Sequence, residues 1–264
     1  MQIRPGIELA NLSDVGRARE LNEDYFGYVE PEDDESFAKK GRLVIIADGM
    51  GGYEGGQLAS RFAVETIREN YLASPCEDPA ETLLESFQLA HHKIRQFASE
   101  HAEVDQMGTT CTAAVLLGSQ LYFANIGDSR LYLIRGMELR QLTQDDSYVN
   151  KMVLSGMLSR EEAESHPNRN VLTAALGSNT QDASPSASKA PEPLVPGDTL
   201  LLCTDGLHGL VSGEEMLGLV NGQSASKACQ ELVALANAHG GPDNITVQIV
   251  RYLGDGLRAT RVTG

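Results

Sequence analysis

Leu43-Val44-Ile45-Ile46-Ala47-Asp48-Gly49-Met50-Gly51-Gly52 is an apolar run that ends in a carboxylate beside glycines. An unbroken apolar stretch rich in β-branched residues predicts a strand buried on both faces. The glycines let backbone or a bound ion approach the carboxylate closely. The pattern returns in Leu200-Leu201-Leu202-Cys203-Thr204-Asp205-Gly206. A third aspartate stands in Gly240-Gly241-Pro242-Asp243-Asn244, just ahead of Ile245-Thr246-Val247. An isolated Asp-Gly at a strand end is ordinarily a turn. Three such carboxylates at strand edges of one domain-sized chain point instead to a common site. Oxygen donors without neighbouring His or Cys suit hard divalent cations such as Mg²⁺ and Mn²⁺.

The chain has 264 residues and a formal charge of −16. That length fits one large domain or two small ones and can bury a core without staples. No basic patch is present, which argues against a nucleic-acid partner. The acidic run Glu30-Pro31-Glu32-Asp33-Asp34-Glu35 reads as a solvated loop tip. Cys76, Cys111, Cys203 and Cys229 are scattered, without a CxxC pair or a His at zinc-ligand spacing, and suit a reducing compartment. The N-terminus lacks the apolar stretch of a signal peptide, and no apolar run approaches the ~18 residues of a membrane span. The expectation is a soluble, cytoplasmic monomer with no membrane partner.

Further strands are predicted at Tyr25–Glu30, Thr112–Leu117, Leu121–Asn125, Arg130–Arg135, Glu138–Leu142, Asp198–Thr204 and Asn244–Tyr252. Gly118-Ser119-Gln120 marks a hairpin. Helices are predicted over Gln57–Leu72 and from Asp78-Pro79-Ala80-Glu81 through Phe97, the latter with an N-cap and Pro at its first position. Ser159-Arg160-Glu161-Glu162 and Ser212-Gly213-Glu214-Glu215 are capping-box patterns. A last helix runs from Ser226 to His239. Short hairpin spacings favour antiparallel sheet with the helices outside. The loop-like Asp182–Pro193 is not read as a domain linker, because the roughly 70 residues after it are too few for an independent core. Residues 1–253 are therefore expected to form one domain, with a polar tail at 254–264.

Near the N-terminus stands Ser13-Asp14-Val15-Gly16-Arg17-Ala18-Arg19-Glu20-Leu21-Asn22-Glu23-Asp24. Together with Asp48-Gly49-Met50-Gly51-Gly52, Gly108-Thr109-Thr110, Gly127-Asp128-Ser129-Arg130, Thr204-Asp205-Gly206 and Gly241-Pro242-Asp243-Asn244, this set resembles the metal-dependent protein phosphatases of type 2C. It is most similar to the compact bacterial serine/threonine enzymes. The motifs occur in the family's order over about residues 8 to 251. The segment Met152–Gly177, with Gly156, Glu161-Glu162-Ala163, His166-Pro167 and Leu176-Gly177, resembles that family's mobile flap, here expected at about 145–180.

The resemblance implies an α+β fold: a four-layer α-β-β-α sandwich of two central antiparallel sheets flanked by helices, with metals at one edge. It implies two core Mg²⁺ or Mn²⁺ ions and a third, weaker one. By the same likeness Asp48 bridges the core pair, the Gly49 carbonyl binds the second ion, and Asp205 and Asp243 bind the first. Asp128 with Asp205 makes the third site. Glu23 and Asp24 hold metal-bound waters, and Arg19 grips the substrate phosphate. Cations about 4 Å apart can share a water, lower its pKa and neutralise the phosphoryl oxygens. The implied activity is hydrolysis of phosphoserine and phosphothreonine in proteins, on targets of bacterial serine/threonine kinases. Alternatives are an inactive phosphoprotein-binding module, a phosphatase of small metabolites or phosphotyrosine, and an assembly protein.

Structural readings stand beside these. Asp128 can stabilise a turn between strands. Gly108-Thr109-Thr110 reads as packing, Asp14 as a turn or cap residue, and Asp145-Asp146 as a solvated turn. His91 and His92 read as structural or exposed. Eukaryotic members carry a leaving-group histidine where this chain has Met50. Many bacterial members have a histidine at Tyr53 and a glutamate at Gln57. The proton donor is therefore unassigned, with a metal-bound water as the first candidate; His208 is read as packing.

Overall fold

The computed structural model describes residues 3–51, 54–178 and 183–254. In chain order the strands are β1 (Ile7–Asp14), β2 (Asp24–Val29), β3 (Arg42–Met50), β4 (Gly108–Thr109), β5 (Cys111–Leu117), β6 (Gln120–Ile126), β7 (Arg130–Arg135), β8 (Glu138–Gln141), β9 (Ser186–Ala187), β10 (Glu192–Pro193), β11 (Thr199–Cys203) and β12 (Ile245–Tyr252). The helices are α1 (Asp34–Lys40), α2 (Gly55–Ala73), α3 (Pro79–Glu100), α4 (Tyr148–Leu154), α5 (Arg160–Glu164), α6 (Asp205–His208), α7 (Gly213–Val220) and α8 (Ala225–Ala238).

The strands form two antiparallel sheets. One runs β10-β6-β5-β3-β2, with β4 beside β3 and β9 beside β6. The other runs β1-β12-β11-β7-β8. Alternation along each strand sends side chains to opposite faces. In β3, Leu43, Ile45 and Ala47 pack under α2 and α3 with Ile67, Phe87 and Ile94. Val44 and Ile46 point the other way and meet Leu131, Leu133, Leu200 and Leu202 of the facing sheet. On the far side Leu201, Val247 and Ile249 pack with Cys229 and Leu232 of α8. The order of layers is helix, sheet, sheet, helix, as the family resemblance implied.

Local signals place several boundaries. Asp78 caps α3 by accepting from Ala80 and Glu81 N–H, with Pro79 in the first turn. Both expected capping boxes form, at Ser159 and at Ser212. β9 and β10 add to β6, so Ser186–Ala187 and Glu192–Pro193 of that loop-like stretch belong to a sheet. Residues 255–264 of the expected tail lie outside the described residues. Among the described residues, no helix is long and apolar enough to cross a membrane.

Some expectations are corrected. The acidic run is no loop tip: Asp33 caps α1, and Asp34 and Glu35 fill its first turn. Glu30 lies buried against Arg42 at 3.2 Å. The Phe37 ring sits between the guanidinium groups of Arg4 and Arg42, at 4.6 and 4.8 Å. These contacts fix the β2–β3 connection. β1, α1, α4 and α6 were not anticipated. Asp205 accordingly begins a short helix after β11 and does not simply end a strand.

Candidate active site

The register between β2 and β3 sets Asp24 opposite Asp48. Asp205 enters from the facing sheet at the start of α6, and Asp243 from the loop ahead of β12. Asp48, Asp205 and Asp243, with Arg19, Glu23, Gly49 and Asp128, border a cavity of about 390 Å³. Asp24 does not line it. One of its oxygens accepts from Thr204 Oγ1 at 2.9 Å and Thr246 Oγ1 at 2.6 Å, which holds the carboxyl behind the cavity wall.

The backbone around Asp48 is clamped. Its N–H donates to Thr110 Oγ1 at 3.0 Å, and its carbonyl accepts from Thr110 N at 2.9 Å and Thr109 Oγ1 at 2.8 Å. Gly108-Thr109-Thr110 thus has the structural role expected of it. Gly49 is enclosed by the carbonyls of Gly56 and Glu23, so no side chain fits there. The N-terminal loop is seated on the segment before β12. Asn244 Nδ2 donates to the carbonyls of Val15 and Leu21, at 3.0 and 2.9 Å, and its Oδ1 accepts from Glu23 N at 2.8 Å. Gly16 has φ +80°, and a Cβ there would strike the Asp243 carbonyl. Asp14 accepts from Gly16 N at 2.9 Å and Asn237 Nδ2 at 3.1 Å, a turn role. Asn244, Thr204 and Thr246 were not singled out as positioning residues. Their only sequence signal is adjacency to the motif aspartates.

Arg19 Nη2 donates to Asp243 Oδ2 at 2.8 Å from a half-exposed position. The other carboxyls have less compensation. Burial pushes Asp48 well above the usual carboxylate range, Asp24 up to about 7 and Asp128 up to about 8. Burial also raises Asp205, against the lowering effect of a hydrogen bond with Asp48, and raises Glu23. Mutual repulsion adds to burial in each case. Glu23 Oε1, Asp24 Oδ1 and Asp205 Oδ1 are buried with no hydrogen-bond partner. Unpartnered buried carboxylate oxygens are costly, and an all-oxygen anionic set fits hard divalent cations. Among the described residues no three such side chains close around a single point.

Asp128 is buried, and its carbonyl accepts from His208 Nε2 at 2.9 Å. Burial lowers the His208 pKa far below normal, so the ring is neutral and has a packing role. Met50 lines the cavity, while Gly52 and Tyr53 lie outside the described residues. The reading of Asp145-Asp146 as a solvated turn is corrected. Asp145 is gripped by Arg130 through Nε and Nη2, the latter at 2.7 Å, and Asp146 Oδ2 accepts from Gly127 N at 3.0 Å. These contacts fix the start of the flap. Its far end is fixed by mutual Thr109–Leu176 backbone bonds and by Gly177 N donating to His91 Nδ1 at 3.1 Å. Between these anchors, Asn170, Leu172 and Ala175 form a second wall of the cavity.

The family profile described as protein phosphatase 2C matches residues 17–247. The serine/threonine phosphatase stp of Listeria welshimeri is 37% identical over 243 residues, covering 90% of this chain and 93% of that protein. The solved serine/threonine phosphatase PstP/Ppp of Mycobacterium tuberculosis superposes with a TM-score of 0.83 at 32% identity, covering 94% of this chain and 99% of its own. A PstP catalytic domain solved in complex with two manganese ions superposes with a TM-score of 0.80 at 30% identity, with coverage of 94% and 99%.

Proposed function

The chain belongs to the protein phosphatase 2C family and is a serine/threonine phosphoprotein phosphatase, and we propose that its hydrolytic centre is the cavity between Asp48, Asp205 and Asp243. The observation that carries this reading is the set of buried, unpartnered oxygens on Glu23, Asp24 and Asp205. A module that only binds phosphoproteins has no need for such uncompensated charge.

Divalent metal ions fit this site. Asp48, the Gly49 carbonyl, Asp205 and Asp243 would hold two Mg²⁺ or Mn²⁺ ions. Asp128 with Asp205 would hold a third, weaker one. Glu23, and the free oxygen of Asp24 behind it, would accept hydrogen bonds from coordinated water. When bound, the cations supply an activated water nucleophile and neutralise charge on the phosphoryl group.

The chain's own residues orient the substrate. Arg19 presents a guanidinium at the cavity mouth, held by Asp243 through Nη2. The group has five N–H donors, so it can grip a phosphate while keeping that contact. Thr109, Thr110 and Asn244 fix the backbone at Asp48 and Glu23 so that the carboxyls need not reorganise during turnover. Met50 has no proton to give and His208 is held neutral, so neither protonates the leaving group. The substrates are proteins phosphorylated by bacterial serine/threonine kinases. Hydrolysis of a phosphothreonine peptide with Mn²⁺, abolished by EDTA and restored by added metal, is the expected result. Equal turnover in EDTA would overturn the assignment.

A further inference from the structure

A second cavity, of about 1070 Å³, adjoins the first and shares Arg19, Asp128, Asn170, Asp205 and Asp243 with it. One wall is the flap, through Val153 and Leu154 of α4 and Arg160 and Ala163 of α5. The 210–213 turn and Met216 of α7 also line it. Its floor includes Arg130, whose charge is already taken by Asp145, and Tyr132, whose hydroxyl accepts from Arg130 Nη1 at 2.9 Å. Pockets for small ligands typically span about 300–1,000 Å³. This groove is larger and continuous with the phosphate-binding end, so it has room for polypeptide on one side of the reacting residue.

The rim has a distinct charge. Arg160 and Arg169 are both exposed and line the groove, and neither forms an ion pair among the described residues. The chain as a whole carries −16. Two exposed guanidinium groups with no ion-pair partner among the described side chains, over a partly apolar groove, are complementary to an acidic stretch of chain.

We propose that this groove receives the substrate segment on one side of the phosphorylated residue, and that Arg160 and Arg169 favour acidic residues in that segment. This rests on the phosphatase reading and adds a substrate preference to it. The flap is then a recognition wall whose position Asp145, Asp146 and His91 maintain.

The test uses phosphothreonine peptides carrying three glutamates or three lysines, placed N-terminal in one pair and C-terminal in the other. The intact protein with Mn²⁺ should prefer the glutamate peptide in kcat/KM by about three- to tenfold, the scale of one or two exposed ion pairs. The preference should appear in one pair only, because the groove lies on one side. In Arg160→Glu the same ratio should fall to one or below. Glutamate at that first-turn position complements the α5 dipole, so the helix is retained. Equal ratios in both pairs, or a ratio unchanged in Arg160→Glu, would overturn the proposal. Mn²⁺-dependent turnover of p-nitrophenyl phosphate, which has no flanks, separates the two failures. If that turnover is absent, the phosphatase reading falls and the groove with it. If it is present without a flank preference, the groove alone is refuted.

Discussion

Val44, Ile46 and Asp48 lie on one face of one strand, yet they belong to opposite kinds of interior. Val44 and Ile46 are fully buried between the sheets, among predominantly aliphatic side chains. Asp48, two residues on, is half-buried at the cavity and faces other carboxyls. Strand alternation assigned all three to the same side, and the inter-sheet face changes chemistry at its edge. The apolar part stabilises the fold by about 25 cal/mol for each Å² removed from water. The carboxylate part opposes folding until a cation neutralises it. The sandwich therefore supports a centre that would not be stable alone.

That contrast is most sharply tested by Asp48→Asn. Activity should fall by more than about 100-fold, since losing even an outer partner of a metal site costs about 10–100-fold. The metal-free variant should nevertheless melt higher than the parent, because one buried charge is gone. A lower melting point in EDTA, measured by calorimetry, would break the comparison. Ile46→Ala should behave in the opposite way. It should lose about 2–5 kcal/mol of stability, while turnover per folded molecule stays near parental when denaturation and phosphopeptide assays are run side by side.

Arg19→Ala samples the boundary, where the charge is solvated. A charged hydrogen bond to phosphate contributes about 1.5–3 kcal/mol, so kcat/KM should fall roughly ten- to a hundredfold. Mn²⁺ affinity should not weaken, because Asp243 is released from its only described cation. Steady-state kinetics and metal titration together would expose a purely structural Arg19.

The smallest expected effect is on pH dependence. Asp24 and Asp128 have folded pKa values raised to about 7 and about 8. The folded metal-free chain thus binds more protons than the unfolded chain between about pH 4 and 8. Its stability is highest below the unfolded carboxylate range and declines as pH rises through 7 and 8. Melting temperature in EDTA should fall between pH 5.5 and 8.5, and Mn²⁺ should flatten that slope. A rising melting temperature in EDTA would contradict the burial of these groups.

Asp48, Asp205 and Asp243 were legible because each stands beside glycine or at a strand edge in its own short motif. The strands of the central sheets were legible from apolar runs. What was missed depends on distant partners. The expectation placed Asp24 at the metal waters without foreseeing its hydrogen bonds to Thr204 and Thr246, 180 and 222 residues away. Asp145 looked solvated because Arg130, 15 residues earlier, belongs to another element. α1 was hidden because an acidic run serves equally as a cap and first turn or as a loop tip. β1 mixes polar and apolar residues, and only its pairing with β12 makes it a strand.

That pairing couples activity to the order of synthesis. β1 runs antiparallel to β12 from Ile7↔Tyr252 to Asp14↔Ile245. The loop after β1 carries Arg19 and depends on Asn244, directly before β12. A nascent chain emerges N-terminus first, so its opening strand waits unpaired while some 230 residues are made. Neither the edge of that sheet nor the arginine loop can settle until the closing strand arrives. A chain lacking β12 and Asn244 would lose both the partner of β1 and the bonds that seat the arginine loop.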